Sequence, residues 1–159
     1  MTATARRVLS DLRVAQELLQ TERSSDQFRV LWVASVALCR AVGHALQKVD
    51  SASSPQLKSA ILATYKSWKS SPDLHPVFFE FIEDERNSVL KEYEFGFLSG
   101  AGVLSGLVLQ DGLLVTLPDN FFCPMSDGLF AGVDCRDVLD LAINWWQQQL
   151  AHIERTVAV

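Results

Sequence analysis

Histidine is scarce in this 159-residue chain, with three copies, and no two of them stand at HExxH or any other ligand spacing, so the sequence offers no metal site. Cysteine is equally sparse. Cys39, Cys123 and Cys135 are an odd set without CxxC spacing, which fits reduced thiols better than a disulfide framework. Cys39, on an apolar helical face, reads as a small core residue. There is no GxGxxG loop, P-loop or GxSxG elbow. Long apolar runs are also missing. The weakly polar stretch from Phe95 to Leu109 is interrupted by Gly96, Gly100, Gly102 and Gly106 and is too short to cross a bilayer. The two arginines near the start precede no apolar run of the signal-peptide kind. These absences predict a cytoplasmic protein with no metal, no cofactor and no membrane contact. Excess positive charge is absent too: the net charge is −5 and the pI about 5.1. Any RNA contact therefore has to come from a local basic cleft.

What is present is ordinary for a globular fold. Hydrophobic residues make up 48% and charged residues 21% of the chain, and nothing suggests a boundary, so residues 1–159 read as a single domain. Apolar residues at three- and four-residue spacings predict helices from about Ala3 to Glu22 and Phe28 to Val49. Ser54-Pro55 reads as an N-cap followed by a first-turn proline, opening a third helix to about Lys69. Pro76 suits the first turn of a fourth, to about Phe95. Gln110-Asp111-Gly112 between apolar runs is a hairpin signal, with strands expected at about Ser105–Leu109 and Leu113–Leu117 and one more near Leu129. Asp134 and Asp137 suit the start of a last helix to about Val157. The expected fold is an all-α, five-helix up-down bundle with a small β-hairpin insert at about 100–132. Trp145 and Trp146 are adjacent, which predicts that one of them packs at a subunit interface.

The fourth helix carries the most telling residue. At about 100° per residue, Phe79, Ile82, Val89, Leu90, Tyr93 and Phe97 fall within about 60° of Arg86, placing a guanidinium at the centre of an apolar stripe. An unpaired buried charge costs several kcal/mol, so Arg86 requires a carboxylate, a polar dimer interface or an anionic ligand. Glu83, one turn earlier, is the near candidate for a salt bridge. Arg86 beside Asn87 also suits phosphate, one supplying a charged fork and the other orienting an oxygen. Arg40 and His44 lie one helical turn apart, and His44 reads as a structural or supporting residue.

Glu85-Arg86-Asn87, followed by Leu90 and Tyr93, resembles the HEPN superfamily, whose signature is Arg, commonly followed by Asn, Asp or His, and a His after four to six intervening residues. Asp127-Gly128-Leu129-Phe130, Gly132-Val133-Asp134 and Ala142-Ile143-Asn144-Trp145-Trp146 also resemble bacterial HEPN-like proteins in which a β-containing insert precedes a Trp-bearing last helix. The resemblance implies a helical bundle that dimerises with its Arg motifs facing across the interface. It also implies metal-independent endoribonuclease chemistry in toxin–antitoxin, abortive-infection or other defence systems. The positions where the signature histidine falls are Lys91, Glu92 and Tyr93, so the expected general acid/base is missing.

The resulting expectation is a homodimer in which Arg86, Asn87 and Glu83 bind RNA or a nucleotide. It would act as a regulatory member of a defence or toxin–antitoxin system, with an antitoxin or nucleotidyltransferase as partner. Two alternatives stand beside it. One is an active endoribonuclease using Arg86, Asn87, Lys91 and Tyr93 in a non-standard site, and the other is an interaction bundle in which Arg86 makes a buried ion pair.

Overall fold

The computed structural model describes residues 1–99, 106–116 and 122–158, and the fold is all-α. Helix α1 (Ala3–Thr21) buries Ala5, Leu9, Leu12, Ala15 and Leu19, one stripe at three- and four-residue intervals. Its first turn has no local cap. Instead the Thr4 and Ala5 N–H groups donate to the two carboxylate oxygens of Asp50, both at 2.9 Å. Asp50 follows helix α2 (Ser25–Lys48), so the start of α1 sits at the end of α2 and the two run antiparallel.

The last helix, α5 (Cys135–Ala158), is registered against α1 in the same sense. Arg6 Nε donates to Glu154 at 3.0 Å, Arg13 pairs with Gln147, and Gln16 with Asp140. Helix α3 (Pro55–Ser70) begins as its sequence dictates, with the Ser54 hydroxyl accepting from Leu57 N at 3.1 Å and Pro55 in the first turn.

Trp145 and Trp146 both end in the core of one chain, which corrects the expectation of a subunit contact for one of them. Trp145 is 8% exposed. It stacks on Phe78 at 5.1 Å, packs on Trp68 at 4.7 Å and donates from Nε1 to His75 Nδ1 at 3.2 Å. Trp146 meets the same Trp68 and Phe78 rings at 5.9 and 6.0 Å and presses on Gly43 of α2. A Cβ at that glycine would stand 2.9 Å from Trp146 Cη2. Its indole N–H finds no oxygen or nitrogen acceptor and is left with the Cys39 thiol, a weak one. Helix α5 thus packs against both α2 and α3, and the adjacent indoles join one aromatic cluster with Trp68 and Phe78.

The fourth helical segment departs from a plain α-helix. It runs as a π-helix (Phe78–Glu83), a single α turn, α4 (Asp84–Asn87), and a second π-helix (Ser88–Glu92), and stops at Tyr93 in the left-handed region, φ 57°. Each π turn takes in an additional residue, so a strict helical period misplaces the faces beyond it. Trp32 against Glu85 and Arg40 against Phe78 set this segment antiparallel to α2.

Strands β1 (Gly106–Val108) and β2 (Leu114–Thr116) pair antiparallel, Leu107 opposite Val115. The outer ends of the expected strands, Ser105 and Leu117, lie outside the described residues. No strand forms at Leu129, which sits in a turn. The neighbouring segment is held by isolated bridges of Pro124 to Asp134 and Met125 to Ala131.

Candidate functional site

The apolar stripe of the fourth segment is centred one residue from where the period places it. Its buried residues are Val77, Phe78, Phe81, Ile82, Glu85 and Val89, and the carboxylate of Glu85, 6% exposed, is the buried charge. Leu90 and Tyr93, assigned above to the stripe, are 46% and 61% exposed. Glu85 Oε1 accepts from Trp32 Nε1 at 2.8 Å and from Gly96 N at 3.1 Å. Burial pushes its pKa up from the ordinary carboxylate value, while the Trp32 and Gly96 hydrogen bonds pull the other way. Gly96 is required here, since a Cβ on it would stand 2.3 Å from Glu85 Oε2.

Arg86, turned away from this core contact, is half-buried. Its Nη1 donates to Asn87 Oδ1 at 2.9 Å, which uses the amide oxygen of Asn87. The expected Glu83–Arg86 bridge does not form. Glu83 faces Arg40 of α2 at 3.4 Å, and the Arg40 guanidinium also lies 5.7 Å from the centre of the Phe78 ring. Lys91 is exposed on the second π turn. Tyr93 is drawn to the other end of α2, where its hydroxyl pairs with Arg29 and its ring meets Phe95 at 5.1 Å. Arg29 and His44 are separated by about 22 Å along the axis at the usual helical rise. Arg86, Asn87, Lys91 and Tyr93 are therefore not gathered around one point.

What the structure does gather beside Arg86 is a row on α2. Arg40, His44 and Lys48 recur every four residues and share a face. Partial desolvation lowers the pKa of the largely exposed His44 ring, followed by the charges of Arg40, Arg86 and Lys48. The charges that act on this ring are those of Arg40, Arg86 and Lys48, with Arg40 itself paired to Glu83, on a chain of net charge −5. The lowered pKa favours the neutral imidazole of His44, and Arg86, whose Nη1 goes to Asn87, keeps further N–H groups on its fork. Sequence spacing had paired Arg40 with His44 along one helix and set Arg86 apart. The joining of the two sets across helices is tertiary and has no local signal. Among the described residues, no three His, Cys, Asp or Glu side chains gather as a metal site.

Searches against protein-family models, curated proteins and solved structures return no match to this chain. Fold and site together define an all-α helical bundle bearing a local cationic face on an otherwise acidic molecule.

Proposed function

We propose that this protein is a HEPN-like up-down bundle with a β-hairpin insert, cytoplasmic and homodimeric. In this reading it binds the phosphate groups of RNA or a nucleotide on the face formed by Arg40, His44 and Lys48 of α2 with Arg86 and Asn87 of α4. It acts as a regulatory member of a defence or toxin–antitoxin pair, with an antitoxin or nucleotidyltransferase as its protein partner. The observation that carries the reading is that Arg40, Arg86 and Lys48 all act on the His44 ring: phosphate is the common biological group that answers several cations while accepting from a guanidinium fork. Dimerisation rests on exposed apolar surface between α1 and α2, where Leu18 is 51% and Val30 64% exposed along one groove, a state that a second copy would relieve.

A second reading, an active metal-independent endoribonuclease, is favoured by His44 itself. A neutral imidazole beside Arg86 supplies the acid/base group that Lys91, Glu92 and Tyr93 do not. One experiment separates the two. Single-stranded and structured RNA are incubated without metal with the wild type, Arg86→Ala and His44→Ala, and both retention and cleavage are followed. Binding that Arg86→Ala weakens, without cleavage, supports the first reading. Cleavage abolished by both substitutions supports the second, and the absence of binding and cleavage alike overturns both.

A further inference from the structure

A groove of about 470 Å³, open to solvent, is lined by α3, α5 and His75. Two of the groups that line it are fixed by buried indoles. Trp145 Nε1 donates to His75 Nδ1 at 3.2 Å. An indole nitrogen only donates, so His75 Nδ1 is unprotonated and the neutral ring carries its hydrogen on Nε2. Burial lowers the His75 pKa, which favours that neutral form. Trp68 Nε1 donates to Gln149 Oε1 at 2.9 Å, so the oxygen of this amide is used and its NH2 group is left to donate. Neither His75 Nε2 nor the Gln149 amide nitrogen has a protein partner among the described residues. Arg155, His152, Gln148, Thr64 and Ser67 complete the polar wall, and among the described residues no carboxylate lines it.

We infer that this groove is a second binding site, for a phosphate group, distinct from the Arg86 face and independent of the function proposed for it. The reasoning is one of matched inventories. A phosphate offers three terminal oxygens that only accept, and the groove offers an imidazole N–H, an amide NH2, a guanidinium and two hydroxyls. Two of these donors are oriented before any ligand arrives, because rotating either ring or amide would strand a buried indole N–H. That preorganisation lowers the ordering cost of binding.

The test uses inorganic phosphate on the full chain, with total ionic strength held constant by sodium chloride, and follows the Trp68 and Trp145 indole N–H resonances. Both report on groups that touch the groove, and because Trp68 also lines a cavity with Arg40, the Gln149→Glu variant is what separates this site from the Arg86 face. Saturable movement of both signals is expected in the wild type. Gln149→Glu keeps an acceptor for Trp68 and so preserves the fold, but turns the amide donor into a negative oxygen. It should weaken the response by at least about tenfold, and Arg155→Ala, at a solvent-facing position, should weaken it as well. The inference is overturned if phosphate moves the signals no more than chloride does, or if Gln149→Glu, with its indole resonances intact, binds as the wild type does.

Discussion

At the scale of single residues, the chemistry turns on which of two neighbours, Glu85 or Arg86, faces inward. Glu85 does, because Trp32 and Gly96 supply two N–H donors to one of its oxygens, and a satisfied carboxyl is far cheaper to bury than an unpaired guanidinium. Its raised pKa fixes the sign of a pH effect. A carboxyl held above its unfolded value favours the fold when protonated, so its contribution is complete below the ordinary value and is lost as pH rises through the folded pKa. Glu85→Gln keeps the acceptor for both donors and removes the charge. It should raise the melting temperature at pH 7 and flatten the pH dependence of stability above about pH 4.5, which thermal melts across pH would check. Gly96→Ala should cost about 1–3 kcal/mol in denaturant titrations, through overpacking against Glu85 Oε2. Neither Glu85 contact was legible in the sequence. Trp32 is 53 positions away and Gly96 is 11, and a helical period cannot report a partner on another element. The two π turns then moved Leu90 and Tyr93 off the face to which a uniform period assigns them.

Helix ends were the most readable feature at the scale of elements when their caps were local. Ser54-Pro55 opens α3 as its own residues require, and Ser24 opens α2 by accepting from Gln27 N at 3.5 Å. The start of α1 was legible as a position, but its cap was not, because Asp50 reaches it from the far end of α2. Asp50→Ala should therefore destabilise the fold by about 1–2 kcal/mol, the usual cost of losing an N-cap, measurable by urea unfolding. The α1–α5 seam gives a pH effect of the opposite sign to Glu85. Hydrogen bonding to Arg6 first, and to Thr2 as well, brings the Glu154 pKa down to about 2. Its stabilising contribution is present above the ordinary carboxylate value and is lost as pH falls toward about 2. Replacing it by Gln should lower the melting temperature at pH 6 and leave the variant and wild type converging at the acid end. The tryptophan pair in α5 illustrates the limit of pattern reading. Two adjacent indoles look irreconcilable with one core, yet both reach the same pair of rings, Trp68 and Phe78.

For the molecule as a whole, the central point is that a chain with net charge −5 concentrates cations from two separate helical segments around one histidine. The row Arg40, His44 and Lys48 is visible in the sequence, as is Arg86, but their convergence depends on the antiparallel packing of α2 with the fourth segment. If this face holds phosphate, RNA affinity should fall steeply with added salt, because the contacts are exposed and screened. The most direct measurement is a proton NMR titration of the His44 ring. The ring should titrate below the ordinary histidine value in the free protein, shift upward in Arg86→Met, and shift upward again when a short RNA occupies the face and its phosphates offset the cations. A ring that titrates at its ordinary value and ignores both the substitution and the RNA would contradict the account.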